Sequence, residues 1–199
     1  MKKSLLLASA LLALPGTATA ATTVFNNGAA FNTAAGATLI EDFEDGALLS
    51  GLSITSTTSS ISGGLFRDRL TTGKSTTFNF TSAQSAFGGI FDLSPGGEGL
   101  GISFTLGLLG GGTELVGQQV SRSCVLCFVG FTSTNPFTSV TLNSGTQGGL
   151  AESFNLNNLQ IASAVPEPST WAFMLLGFGF IGGVMRYARR HQKNTVSFA

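Results

Sequence analysis

Between Thr22 and Ala162, short apolar stretches alternate with clusters of Gly, Ser, Thr and Asn, and no 3.6-residue periodicity is sustained between them. That pattern predicts strands over Thr38–Phe43, Ser75–Thr81, Phe87–Leu93, Gly101–Leu106, Glu114–Val120, Phe128–Thr134, Thr138–Leu142 and Phe154–Ala162. Successive strand side chains face opposite sides, so Phe78 and Phe80 share a face, as do Val140 with Leu142 and Leu159 with Ile161. Each strand offers one apolar face to a common core, which predicts an all-β sandwich. The body carries thirteen phenylalanines but no Trp or Tyr, and most of the rings are expected in the core.

The ends have different patterns. The first twenty residues show Lys2 and Lys3, an apolar run from Leu5 to Leu14, the breakers Pro15 and Gly16, and the small-x-small sequence Ala18-Thr19-Ala20. This is the layout of a secretory signal peptide cut by signal peptidase before Ala21; the competing reading, a retained anchor, has an apolar run shorter than the about 18 residues a span needs. At the other end no residue from Ser169 to Met185 is charged. Helical at about 1.5 Å per residue, these positions reach roughly 25 Å, which predicts a short transmembrane helix. Pro166 and Pro168 keep the chain before it extended, and Trp171 would lie near headgroup level. Arg186, Arg189, Arg190 and Lys193 form a basic stop that holds this end in the cytoplasm, so the body faces outward. The expected division is a signal peptide at 1–20, an exported domain at 21–164, a sorting segment at 165–193 and a cytoplasmic stub at 194–199.

The order Val165-Pro166-Glu167-Pro168, then an apolar stretch with Trp171, then Arg189-Arg190 resembles the PEP-CTERM sorting signal of Gram-negative bacteria. The resemblance implies that the motif Val165 to Pro168, and in it Pro166, Glu167 and Pro168, is recognised by a membrane-embedded exosortase while the chain is held transiently in the inner membrane. It further implies release of the body to the cell surface or extracellular polysaccharide matrix. The segment from Phe128 to Ala164 is also similar to the last strands of PEP-CTERM cargo domains, with a Phe-x-Gly-Phe strand and a pair at Asn157-Asn158 where those domains often carry Asp-Asn. With the acidic stretch Glu41, Asp42, Glu44 and Asp45, it resembles jelly-roll domains whose first and last strands share a structural calcium ion. In that reading Glu41, Asp42 and Asp45 are the calcium candidates, against the alternative of a solvated acidic strand end. No other cofactor is expected.

Charge and the remaining reactive residues narrow the function further. The net charge is zero, but residues 21–164 carry four basic and nine acidic side chains, so nucleic-acid binding has no electrostatic footprint there. The single histidine, His191, lies beyond the apolar stretch, which leaves no Ser-His or Cys-His pair in the body. Asp42 and Glu44 would share a strand face, which leaves a glycosidase carboxylate pair formally open, against the alternative of solvated acids on a strand edge. Cys124 and Cys127 fit a structural disulfide, two free thiols or a redox pair, and a bridge needs a turn at Val125-Leu126 because strand side chains three apart diverge. These features predict a non-catalytic surface or matrix protein, with a carbohydrate-binding module acting on exopolysaccharide as the alternative.

Overall fold

The computed structural model describes residues 22–96, 99–164 and 168–191. The expected signal peptide, Glu98, the motif residues Val165, Pro166 and Glu167, and the tail from 192 onward lie outside them. The β-rich body runs through β1 (Thr22–Phe25), α1 (Gly28–Ala35), β2 (Leu39–Glu41), β3 (Leu52–Thr55), β4 (Ser60–Ser62), β5 (Leu65–Thr71), β6 (Ser75–Asp92), β7 (Ile102–Leu108), β8 (Thr113–Leu115), β9 (Cys127–Ser144) and β10 (Ala151–Ser163). A single antiparallel hydrogen-bonded network links them in the order β4-β5-β10-β6-β9-β7-β8, with β1 on β9, β2 on β10 and β3 on β6.

That network becomes a sandwich because its two longest strands bend. Stretches expected as separate strands at 75–81 and 87–93 are both parts of β6, and those at 128–134 and 138–142 are both parts of β9. The β6–β9 register slips between Asn79, Gln84 and Ala86. Phe78 and Phe87 lie nine residues apart on β6, about 30 Å if the strand were straight, yet their ring centroids are 5.4 Å apart. The strand therefore doubles over, and its two halves belong to opposing layers. One layer pairs β5, β10, the second half of β6 and the first half of β9; the other pairs β3, the first half of β6, the second half of β9 and β7.

Between the layers lies a core rich in phenylalanine. Phe43, Phe66, Phe78, Phe80, Phe87, Phe91, Phe104, Phe131, Phe137 and Phe154 are all buried in it, most in edge-on or tilted contact with a neighbouring ring, as the aromatic quadrupole favours. A smaller core lies on the outside of the first layer, where α1 lays Phe31 against Phe25 and Phe128. Asn27 caps this helix by accepting from the Ala30 amide at 3.0 Å, and Gly36 ends it at φ 76°. Gly88 and Gly130 stand opposite each other beneath Phe31, and a Cβ on Gly130 would lie 2.8 Å from that ring. The Phe-x-Gly-Phe pattern is thus resolved: Phe128 packs under α1, Gly130 makes room for Phe31, and Phe131 enters the main core.

The C-terminal apolar stretch forms α2 (Pro168–His191), whose described side chains, Phe173 to Arg186, are all exposed. The expectation that it crosses a bilayer is not supported, since no helix among the described residues is long and apolar enough to do so. The uncharged run is only 17 residues, and Gly177, Gly179, Gly182 and Gly183 dilute it with positions that bury no side chain.

Candidate functional site

The acidic corner forms, with a different geometry from the one expected. Strand β2 ends at Glu41, and Phe43 turns the chain at φ 60°, so Asp42 and Glu44 do not alternate along one strand and the premise for a paired-carboxylate face fails. Phe43 tolerates the left-handed conformation because its ring is buried 5.9 Å from that of Phe66. Glu41, Asp42 and Asp45 line a pocket of about 310 Å³. However, their oxygens serve the loop itself. Glu41, 3% exposed, accepts from the amides of Phe43 at 2.8 Å and Leu49 at 2.6 Å, one on each oxygen. Asp42 accepts from Glu44 and Asp45 from Ala47, each two residues on. Among the described residues no three Asp, Glu, His or Cys side chains are gathered to hold a metal ion, and the corner is a self-capped loop in which each of these carboxylates already accepts from a backbone amide. Strand β2 is nonetheless a neighbour of the last strand, β10, whereas the first strand, β1, pairs with β9: Leu159 pairs with Glu41, and Asn158 sits at φ 48° in the β10 bulge next to that pair.

Two further carboxylates face the interior from β5 and β10. Asp68 accepts from the hydroxyls of Ser56, Thr58 and Thr76 and from the Arg69 amide. Burial alone would raise its pKa, but these donors outweigh burial and hold it below its usual 3.8. Glu152 is fully buried; one oxygen accepts from the Gly101 amide at 2.6 Å and the other has no partner among the described residues. Burial raises its pKa above 4.5, offset only in part by the amides of Gly101 and Leu100.

The outer faces of the same strands are polar and uncovered by α1. Register places Arg67 of β5, Asn155 of β10 and Asp92 of β6 in one row, and Arg69 beside Ser153 in the next. At the end of this face a cleft of about 580 Å³ is lined by Arg69, Gly96, Gly149, Leu150 and Ser153 among others. Strand β5 was missed in the sequence because Asp68, an inward residue, interrupts the apolar alternation of Phe66 and Leu70. The pair Arg67 and Arg69, two apart and outward, is the signal that could have revealed this face.

Cys124 and Cys127 are joined in a disulfide with their Cα atoms 5.6 Å apart. Leu126, at φ 48°, makes the tight turn between them. Of the sorting residues, Pro168 opens α2, Trp171, Arg189 and Arg190 lie on it, and Arg186 is exposed near its end. The last backbone contact of the sheet before this segment is the Ala164 amide, which donates to the Ala83 carbonyl at 3.0 Å.

The family model for the PEP-CTERM protein-sorting motif matches residues 164–190. No curated protein matches the chain. Among solved structures the chain is similar to the family 32 carbohydrate-binding module of C. perfringens NanJ, solved in complex with galactose. That similarity covers 60% of this chain and 98% of that one at 14% identity and a TM-score of 0.38, too distant to bear on ligand or activity.

Proposed function

We propose that this chain, which carries a PEP-CTERM sorting motif at its C-terminal end, is a cell-surface or extracellular-matrix protein with a structural or matrix-interaction role and no catalytic one. The motif implies export, a transient hold at the membrane and an exosortase as partner. The observation that carries the reading is where the motif begins. Strand β10 ends at Ser163, the sheet's last bond is at Ala164, and the motif runs from residue 164. A cut between Val165 and Pro168 would remove the signal while leaving every strand of the body intact. Signal peptidase would make the corresponding N-terminal cut before Ala21, ahead of β1.

The test is intact mass and fractionation of the protein from its native host, with and without the exosortase. A wild-type species running from Ala21 to between Val165 and Pro168 and free of the membrane, with the uncut form in the mutant strain, is the expected result. Identical masses in both strains would overturn it.

A second reading, a carbohydrate-binding module acting on exopolysaccharide, is favoured by one observation. The in-register row of Arg67, Asn155 and Asp92 gives an open sheet face with donors and acceptors spaced a strand apart, suited to sugar hydroxyls.

A further inference from the structure

Resting on that second reading, we propose that the cleft beside Arg69 binds carboxylate-bearing residues of an acidic polysaccharide. The body is acidic overall, yet among the described residues its charge is segregated. Of its four basic residues, Arg67 and Arg69 are on β5 and Lys74 is in the turn after it. The fourth, Arg122, donates to the Gln147 carbonyl at 3.1 Å and so holds the loop that leads into the cleft's Gly149–Leu150 wall. The described carboxylates lie elsewhere: Glu41 to Asp45 at the end of β2, Glu114 on β8, and Asp68 and Glu152 turned inward. Asp92 alone among them shares this outer face, and one of its oxygens accepts from the Ser94 amide.

Within the cleft Arg69 is exposed, and its guanidinium has no partner among the described residues. The guanidinium of Arg67, by contrast, donates to the carbonyl and hydroxyl of Ser62. A free guanidinium presents a planar fork of N–H groups matched to a carboxylate, a geometry that a Lys ammonium lacks. Its backbone is already fixed: the Arg69 amide donates to Asp68 at 2.7 Å, and β5 pairs here with β10, Arg69 opposite Ser153. Binding therefore orders only a side chain. Ser153 stands beside Arg69 to meet a hydroxyl, and Leu150, 92% exposed on the rim, offers an apolar surface to the C–H face of a sugar ring.

The test is affinity electrophoresis of the protein purified from its native host through gels containing polygalacturonate, its fully methyl-esterified form, or dextran. Retardation by polygalacturonate alone is expected. Arg69→Ala should weaken it about tenfold, roughly 1.4 kcal/mol for one charge-assisted contact, and Arg69→Lys should recover only part of the loss. Lys74→Ala removes the same charge outside the cleft lining and should change binding less than about twofold. Equal retardation by the ester or dextran, an unchanged Arg69→Ala variant, or an equal loss in Lys74→Ala would each sink the proposal. A melting curve of Arg69→Ala matching wild type separates lost binding from lost folding. Surface delivery of the wild-type protein reads out separately: normal delivery without polymer binding overturns the ligand assignment alone, whereas failed processing overturns the sorting reading.

Discussion

Asp68 and Glu152 sit on paired strands, Asp68 opposite Phe154 and Glu152 opposite Leu70, and both point into the same interior. Their chemistry diverges because of what surrounds them. Asp68 has three hydroxyls and an amide aimed at it, enough to reverse the effect of burial and keep it ionised. Glu152 has the Gly101 amide on one oxygen and no hydrogen-bond partner among the described residues on the other, and burial wins. Supply of donors, more than depth, decides whether a buried carboxylate stabilises its fold.

The largest effect that sharpens this contrast is expected at Asp68. Asp68→Asn keeps the shape but replaces an acceptor oxygen with an amide that faces hydroxyl and N–H donors, which should cost about 3 kcal/mol through unsatisfied buried groups. In a body of this size that lowers the melting temperature by roughly 6–12 °C. A loss under about 1 kcal/mol in urea titration would show that the hydroxyls simply turn to water. Removing one donor is the milder cut. Thr76→Val should cost about 1 kcal/mol and raise the Asp68 pKa toward its usual value, which NMR titration of the Asp68 carboxyl would detect.

At Glu152 the expected effect is smaller and of opposite sign. Because its folded pKa lies above 4.5, the folded state binds more protons than the unfolded one between 4.5 and that raised value, and stability falls as pH rises through this window. Asp68 behaves in reverse: its contribution is complete above 3.8 and is lost as pH drops from there through its lower folded value. Glu152→Gln should therefore melt at or above wild type at pH 7, by up to about 1 kcal/mol, and lose the decline above pH 4.5. Asp68→Asn should lose the acid-side decline below pH 3.8. If Glu152→Gln is clearly less stable than wild type at pH 7, the bare oxygen has a partner and the contrast collapses.

Neither carboxylate site was visible in the sequence, and the reason is local. The core was legible because Phe, Val and Leu at alternate positions, as at Phe78 and Phe80, announce a buried strand face without reference to the rest of the chain. Asp68 reads as a surface residue between two arginines, and only the pairing of β5 with β10, eighty residues apart, turns it inward. The bends in β6 and β9 were hidden similarly: bulges near Gln84 and Pro136 look like loop residues between strands when hydrogen bonds cannot be seen. Strand β1 and helix α1 were missed for their shortness, since two helical turns hold too few positions for a period to emerge. The sorting segment needed no tertiary information, because its signal is linear order.

The acidic corner extends the same comparison to a place where the expected effect is nil. Glu41, Asp42 and Asp45 resemble an ion site in sequence, but their oxygens accept from the amides of Phe43, Leu49, Glu44 and Ala47, donors the loop supplies to itself. A carboxylate already stabilised by N–H groups, as Asp68 is by hydroxyls, has less to gain from a cation. Dialysis against a chelator should accordingly leave the melting temperature within about 1 °C, and added calcium should not raise it beyond that. A calcium-dependent rise of several degrees, equivalent by mass action to an ion held well below its free concentration, would mean that the loop opens to release Asp42 and Asp45. By contrast, Glu41→Gln should destabilise the protein with or without chelator, by about 1 kcal/mol, because what it weakens is the bonding of two backbone amides.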